Sequence, residues 1–317
     1  MAEMVKKATR ESYGEALAEL SEKYPQVVVL DADLAAATKS GVFKKACPER
    51  FIDCGIAECN MVGVAAGLAA CGKIPFATSF AMFSTGRAYE QVRNSVGYPK
   101  LNVKIVGSHA GISVGEDGAT HQCNEDLALM RTIPGMVVLN PADHYEMKAA
   151  VKAAIEHNGP VYIRLGRLAV NSFNNSDDYK FELGKGITLR AGKDITIVAT
   201  GLMVSRALEA VKTLEEQGID ARLINIHTIK PLDRELIVKA AKETGKIITV
   251  EEHNVIGGLG DAVCDALCEE YPVPVIKIGV NDVYGHSGPA VDLLDEFGLN
   301  AAHIVEVTKK AITKRSL

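Results

Sequence analysis

Short runs of consecutive apolar residues recur along this chain, separated by stretches with helical spacing. QVVVLD (26–31), IPFATSF (74–80), VKIVGSH (103–109), MVVLNPA (136–142) and VYIRLG (161–166) read as buried strands, with helices over 58–71, 83–96, 124–131 and 143–157 between them. Strands that are apolar throughout, rather than alternating, belong to parallel sheets covered on both faces. The polar segment NSFNNSDDYK (171–180) interrupts the pattern. Beyond it the alternation resumes with ITIVAT (195–200), a helix over 204–217 and ARLINIHTI (221–229). A helix opened by Pro231 in its first turn follows, then KIITVEE (246–252), a helix near 259–270 and VPVIKIGV (273–280). The expected fold is α/β, with two parallel or mostly parallel sheets and helices on both faces of each. Domain boundaries fall at 1–170, a linker over 171–190, and 191–317.

Composition narrows the function classes. A length of 317 residues suits two domains at ~100–200 residues each. The 47% hydrophobic content is ample for ordinary cores. A formal net charge of −5 argues against a nucleic-acid partner or an anionic membrane surface. No apolar run approaches the ~20 residues of a membrane span, and MAEMVKKATRESYGEAL lacks the apolar stretch of a signal peptide. The seven cysteines (47, 54, 59, 71, 123, 264 and 268) are scattered and form no CxxC pair. They read as reduced thiols of a cytoplasmic protein rather than a disulfide or zinc framework.

Four features carry candidate chemistry. Glu58 opens a helix, Cys59 to Ala70, that is otherwise almost wholly small and apolar. An acid there either complements the helix dipole or is paired and held for a function. Gly63 and Gly67, four apart on that helix, suit close packing as at a subunit contact. Phe80 and Phe83 follow a strand and either wall a ring pocket or join the core. SHAGISVGEDGATHQ (108–122) begins at a strand's C-terminal end, where ligands bind in open α/β sheets. It gathers His109, Glu116, Asp117 and His121 among Gly111, Gly115 and Gly118, and a His/Asp set can exchange protons with hydroxyls near neutral pH. Neither helical His-x-x-x-His spacing nor a cysteine pair accompanies it, so no metal site is assigned to this chain. Arg10, Arg164 and Arg167 suit phosphate recognition or salt bridges. No GxxxxGK[ST] loop occurs, and Gly257-Gly-Leu-Gly260 lacks the third glycine of a dinucleotide fingerprint, which leaves it a role in close helix packing. The second domain shows no comparable cluster and reads as structural or oligomeric.

At these residues the chain closely resembles the C-terminal half of transketolase, a thiamine-diphosphate enzyme. GIAECNMVGVAAGLA looks like the helix bearing the family's catalytic glutamate, GISVGEDGATHQ like its substrate loop, and LNPAD and RLGR follow in the expected order. The resemblance covers essentially the whole chain, as a pyrimidine-binding domain and then the transketolase C-terminal domain. It implies that Glu58 hydrogen-bonds the aminopyrimidine ring of thiamine diphosphate and favours its imino tautomer, with the carbanion chemistry supplied by the cofactor. Phe80 and Phe83, with His121, would surround the cofactor. His109, His121 and Asp117 would contact substrate hydroxyls and the reacting carbonyl, and Arg10 and Arg167 would grip a sugar phosphate. The resemblance places Ala37 where the family has a serine at the phosphate, so that either Thr38 or Ser40 substitutes or the contact is lost, and the third pyrimidine aromatic falls near Gly86.

These enzymes hold the diphosphate through Mg2+ or another divalent cation on a GDG…N motif in another domain, and Gly115-Glu-Asp-Gly118 is not that motif. The resemblance therefore implies half of an active site. A separate N-terminal transketolase subunit would supply the metal and diphosphate ligands, in a heterotetramer with this chain or on a homodimer of it. The implied reaction is ketol transfer between sugar phosphates in the pentose phosphate pathway. The beta subunit of a 2-oxo acid dehydrogenase and deoxyxylulose-phosphate synthase share the architecture but lack the GEDGATHQ loop. A degenerate regulatory subunit is the non-enzymatic alternative, and it fits poorly with intact Glu58, His109, Asp117 and His121.

Overall fold

In the computed structural model of the chain, which describes residues 5–174 and 179–313, the apolar runs form the inner strands of two sheets. Part of the segment read as linker, 175–178, and the ends of both domains, 1–4 and 314–317, lie outside the described residues. The larger sheet has seven strands. In spatial order they are Thr228–Lys230, Val137–Leu139, Val161–Arg164, Lys104–Ser108, Ile74–Phe80, Val27–Asp31 and Phe51–Asp53. All neighbours are parallel except the first pair. The smaller sheet runs Val275–Val280, Ile247–Asn254, Ile195–Ala199, Ala221–Asn225 and Ile187–Arg190, with only the last pair antiparallel. Residues 187–190, inside the stretch read as linker, thus serve as an edge strand. A two-stranded ribbon pairs Lys6–Ala8 with Ala169–Asn171.

The stretch ARLINIHTI departs from its reading as one strand. Ala221–Asn225 stays in the second sheet, whereas Thr228–Lys230 crosses over and pairs with Val137–Leu139 of the first. Ile226 and Ile229 drive the crossing, because both are buried in a core to which Leu30, Met61, Ile105, Val198 and Leu259 also contribute. That core draws on both domains, so neither buries its apolar face alone. The helix expected from Pro231 starts three residues later, at Arg234, because the Asp233 side chain accepts the Leu236 N–H at 3.2 Å and so caps it. Gly257–Gly260 packs closely, as expected. Glu251, buried beneath it, accepts the N–H groups of Leu259 and Gly260 at 2.7 and 2.8 Å and fills the space an anion would need.

Buried polar groups tie the domains together. Arg164 is bidentate to Asp126, at 2.8 and 3.1 Å, and its Nη2 also donates to the Glu252 carbonyl of the second domain at 2.8 Å. Tyr162 donates to the same Asp126 at 2.7 Å. Arg164 is therefore the salt-bridge partner that its sequence position allowed, not a phosphate ligand. A second node lies at the helix His144–Glu156, where Asp143 accepts the N–H groups of Phe173 and Asn174. Glu146 accepts from Tyr179 at 2.5 Å and from Asn225 of the second domain at 2.8 Å, and burial pushes its carboxyl up to about 7. Among the described residues no helix is long and apolar enough to cross a membrane, and all seven cysteines are free.

Removing one member of a buried ion pair strands the other. Asp126→Ala should lower stability in urea unfolding by about 3–5 kcal/mol. A loss below about 1 kcal/mol, the value of an exposed pair, would show that Arg164 and Asp126 do not depend on each other as a buried ion pair.

Candidate active site

The candidate residues converge on the C-terminal edge of the larger sheet. Phe80 ends one strand, His109 follows the next, and Arg167 lies just past Val161–Arg164. Arg10 sits in the first turn of the helix Thr9–Leu20, whose Thr9 Oγ1 accepts the Gly166 N–H at 2.8 Å. Parallel strands all deliver their loops to this one edge, and that is why residues far apart in sequence meet there.

Glu58 is the first residue of the helix Glu58–Ala70 and is only 2% exposed. Its carboxylate accepts from Arg87 Nη1 at 2.8 Å and from Ser79 Oγ at 3.4 Å. It is therefore a buried, paired charge and not merely a dipole-complementing surface acid. The sequence pattern does not single out Arg87. The segment read as a helix over 83–96 is instead π-helical at Met82–Arg87 and Val92–Gly97, with one α-turn between. This winding places the Arg87 guanidinium over the Phe83 ring, 4.5 Å from its centroid, while it reaches Glu58. Gly63 and Gly67 face outward, and beyond the neighbouring backbone of their own helix no atom of the described residues lies within 4 Å of where their Cβ atoms would be.

Four rings form one wall. Phe80 and Phe83 stack with centroids 6.2 Å apart, His109 lies 4.1 Å from Phe80, and His121 meets Phe83 edge-on at 5.2 Å. His109 Nε2 lies 3.1 Å from Arg10 Nη1, and its Nδ1 lies 2.8 Å from Ser108 Oγ. A guanidinium can only donate, so Nε2 must be the acceptor and Nδ1 must carry the proton toward Ser108. Burial first, and then the charges of Arg10, Arg167 and Lys39, push the imidazole down to about 3. His109 also has φ of 57°, a left-handed conformation uncommon outside glycine. Strain of this kind persists only where surrounding contacts enforce it.

Two arginines lie at the site, one of them paired with a carboxylate and the other with an unsatisfied N–H among the described residues. Arg10 donates to the Ala37 carbonyl at 2.9 Å, yet its buried Nε has no partner among the described residues. Burial, together with the nearby Arg167, lowers its pKa from the usual guanidinium value. Arg167 bonds to Glu116 at 2.6 Å and to the Val114 carbonyl. An anion placed between the two arginines would satisfy the orphan donor. Thr38 and Ser40 do not substitute for the missing serine at position 37. Both bury their hydroxyls on Asp31 Oδ2, at 2.8 Å each, and that pairing fixes the turn. Asp117 stands apart, exposed on the turn Gly115–Gly118, and adds no contact to the cluster. His121 bonds Thr120 Oγ1 through Nδ1 at 2.9 Å.

The cluster has the chemistry of a cofactor and substrate pocket. A carboxylate beside two stacked phenylalanines suits a planar heteroaromatic ring with hydrogen-bond donors, and paired arginines with an unsatisfied N–H suit a phosphate or sulfonate. Among the described residues no group of three or more His, Cys, Asp or Glu side chains is arranged to hold a metal ion.

Residues 5–172 match the family model of the transketolase pyrimidine-binding domain, and 184–304 match that of the transketolase C-terminal domain. A protein of Methanocaldococcus jannaschii named as a transketolase C-terminal section is 50% identical, with 96% of this chain and 98% of that one covered. A 6-deoxy-6-sulfo-D-fructose transketolase subunit of a Clostridium species is 45% identical, with 97% and 95% covered. Human transketolase is 38% identical over 97% of this chain but only 49% of its own length. Among solved structures, a split gene transketolase in the form of an inactive beta4 tetramer superposes with a TM-score of 0.91 at 55% identity, covering 97% of this chain and 99% of that one. The chain belongs to the transketolase family, as a subunit that joins the pyrimidine-binding and C-terminal domains and spans about half of a single-chain transketolase.

Proposed function

We propose that this chain is the C-terminal subunit of a split transketolase of the pentose phosphate pathway, moving a two-carbon ketol unit from a ketose phosphate to an aldose phosphate. An N-terminal partner completes the site, with Mg2+ or another divalent cation on its GDG…N motif. The observation that carries the reading is the Arg10–His109 contact, with its orphan guanidinium N–H, set against the Phe80–Phe83 wall and Glu58. Relatives named for sulfofructose and for apulose-4-phosphate share this subunit form, so anion recognition is the common demand on the site.

Bound thiamine diphosphate would supply the nucleophilic carbon and the electron sink for ketol transfer. Each residue of this chain then has a defined task. Phe80 and Phe83 hold the pyrimidine ring and exclude water, while Glu58 shares a proton with a ring nitrogen. Arg10 and Arg167 bind the terminal anion of the sugar. His109 stays neutral, and its Nε2 lone pair would accept a sugar hydroxyl once Arg10 turns to the anion. His121 and Asp117 complete the contacts to the hydroxyls and carbonyl. The exposed face of the Glu58 helix at Asn60, Gly63 and Gly67 offers the partner a surface for close backbone approach.

The purified chain should show no ketol transfer by itself and should gain thiamine-diphosphate-dependent transfer when the N-terminal subunit is added. Transfer by the chain alone would contradict the shared site, and a pair that decarboxylates pyruvate but ignores ketose phosphates would mark it as a 2-oxo acid enzyme. Glu58→Ala should lower turnover of the pair at least about 100-fold with little change in thermal midpoint, because Arg87 is exposed and remains solvated. Unchanged turnover would remove Glu58 from this role. In nitrogen-15 spectra His109 should remain the neutral Nδ1–H tautomer from pH ~8 to ~5, whereas a midpoint near the ordinary ~6.5 would refute the buried, arginine-flanked environment.

A further inference from the structure

The substrate loop after His109 belongs by sequence to the first domain, and Arg167 of that domain holds its Val114 carbonyl and Glu116, yet both its first turn and its far end are also anchored on the second. Ile112 is fully buried in the second domain's core, alongside Ile195, Met203, Val250 and Leu293. Glu252, at the end of the second domain's central strands and 3% exposed, accepts the Ser113 N–H through Oε1 at 2.7 Å. Gln122 closes the other end of the loop. Its Nε2 donates to the carbonyls of Ile112 and Gly115 within the loop and to that of His286 in the second domain at 2.9 Å.

The glycines on both sides of this seam are there for proximity. A Cβ on Gly111, where φ is already 83°, would lie 2.4 Å from Glu252 Oε1. On Gly118 it would lie 2.6 Å from Ser287 Oγ, and on Gly285 it would lie 2.1 Å from Gln122 Oε1. Backbone therefore approaches side chain at three points along the loop, closer than any other residue allows. Within the first domain the loop is held by Arg167, by the Gly111 N–H donating to the Cys123 carbonyl at 2.9 Å and by short turns closing on Gly115, Gly118 and His121. Between these anchors it carries Asp117, and it ends at His121.

From this geometry we infer that Glu252 is a positioning residue for the acceptor site, and that the second domain, through Glu252 and the Gln122–His286 bond, sets the shape of the loop that reads the substrate. The inference rests on the proposed ketol-transfer site for its kinetic consequence, but not for its structural one. Glu252 bonds the backbone of the loop rather than a side chain of the ring wall. Its carboxylate holds a buried N–H that has no other acceptor among the described residues, so removing it frees the loop's first turn while the strands bearing Phe80 and Ser108 keep their pairing. The second domain, which shows no reactive cluster of its own, thereby acquires a defined part in the reaction.

The test compares Glu252→Ala, Glu252→Gln and Gly285→Ala with the unsubstituted protein. Hydrogen exchange is read on the full chain, and acceptor kinetics on its complex with the N-terminal subunit. Glu252→Ala should speed amide exchange over residues 111–118 by about tenfold or more, leave 74–80 and 104–108 unchanged, and raise the acceptor KM by a similar factor. Thiamine diphosphate affinity should stay constant, because the ring wall is untouched. Glu252→Gln keeps the acceptor oxygen and should recover both values to within about threefold. Gly285→Ala, on a partly exposed loop, should reproduce the alanine pattern by displacing the end of the Gln122 side chain. Unchanged exchange at 111–118 in both Glu252→Ala and Gly285→Ala would overturn the inference, as would a loss spread equally over the sheet strands. If the unsubstituted complex transfers no ketol group, the proposed function fails while the exchange data still decide what holds the loop.

Discussion

The buried pair of Arg164 and Asp126 is the contact on which the active edge depends. Arg164 ends a central strand, and its guanidinium is shared between Asp126 of its own domain and the Glu252 carbonyl of the other. Fixing that strand end also fixes the loop beyond it. Gly166 bonds the first turn of the helix that carries Arg10, and Arg167 lies one residue further on. The two arginines proposed to bind the substrate anion are thus aimed by a third that binds none. A buried ion pair of this kind contributes little net stability compared with an apolar replacement, but it tolerates only one geometry. Geometry is what a phosphate clamp requires.

Charge accounts for the rest of the pocket. Arg10, Arg167 and Lys39 surround His109 and keep its imidazole neutral, while the orphan N–H of Arg10 leaves the site short of one anion. Glu58 would be an expensive buried charge without Arg87, which pairs with it while lying over the Phe83 ring. Glu58 is thus tied to Ser79 and to the arginine over Phe83, while Arg10 lies against His109 with the charge of Arg167 nearby. A ligand with a cationic or donor-bearing ring and a distant anionic terminus matches that order, as a cofactor ring and a sugar phosphate together do.

Much of this was legible in the chain itself. Parallel strands buried on both faces give uninterrupted apolar runs, so the strands around 27–31, 74–80, 104–108 and 161–164 stand out, and the residues just past them must share one edge. His109 and the glycine-rich loop were recognisable on that ground, and Glu58 by its contrast with the apolar helix behind it. The pattern could not reveal which partner a polar residue chooses across the fold. Arg164 and Arg167 look alike in RLGR, yet one is consumed by Asp126, thirty-eight positions earlier. Thr38 and Ser40 look available until Asp31 claims both hydroxyls. Thr228–Lys230 reads as a continuation of its neighbouring strand, and only the core shared between the domains diverts it. Arg87 carried no signal, because its position depends on π-helical winding that no periodicity announces.

The central claim is that this chain supplies the ring wall and the anion clamp of a site that a second subunit closes. Calorimetric titration of thiamine diphosphate in the presence of Mg2+, into this chain, into the N-terminal subunit and into the pair, tests it most directly. Tight, saturable binding should appear only with the pair, one cofactor per copy of this chain, and should weaken when Phe83 is replaced by alanine. Equally tight binding to either subunit alone, or binding to the pair that is indifferent to Phe83, would contradict it.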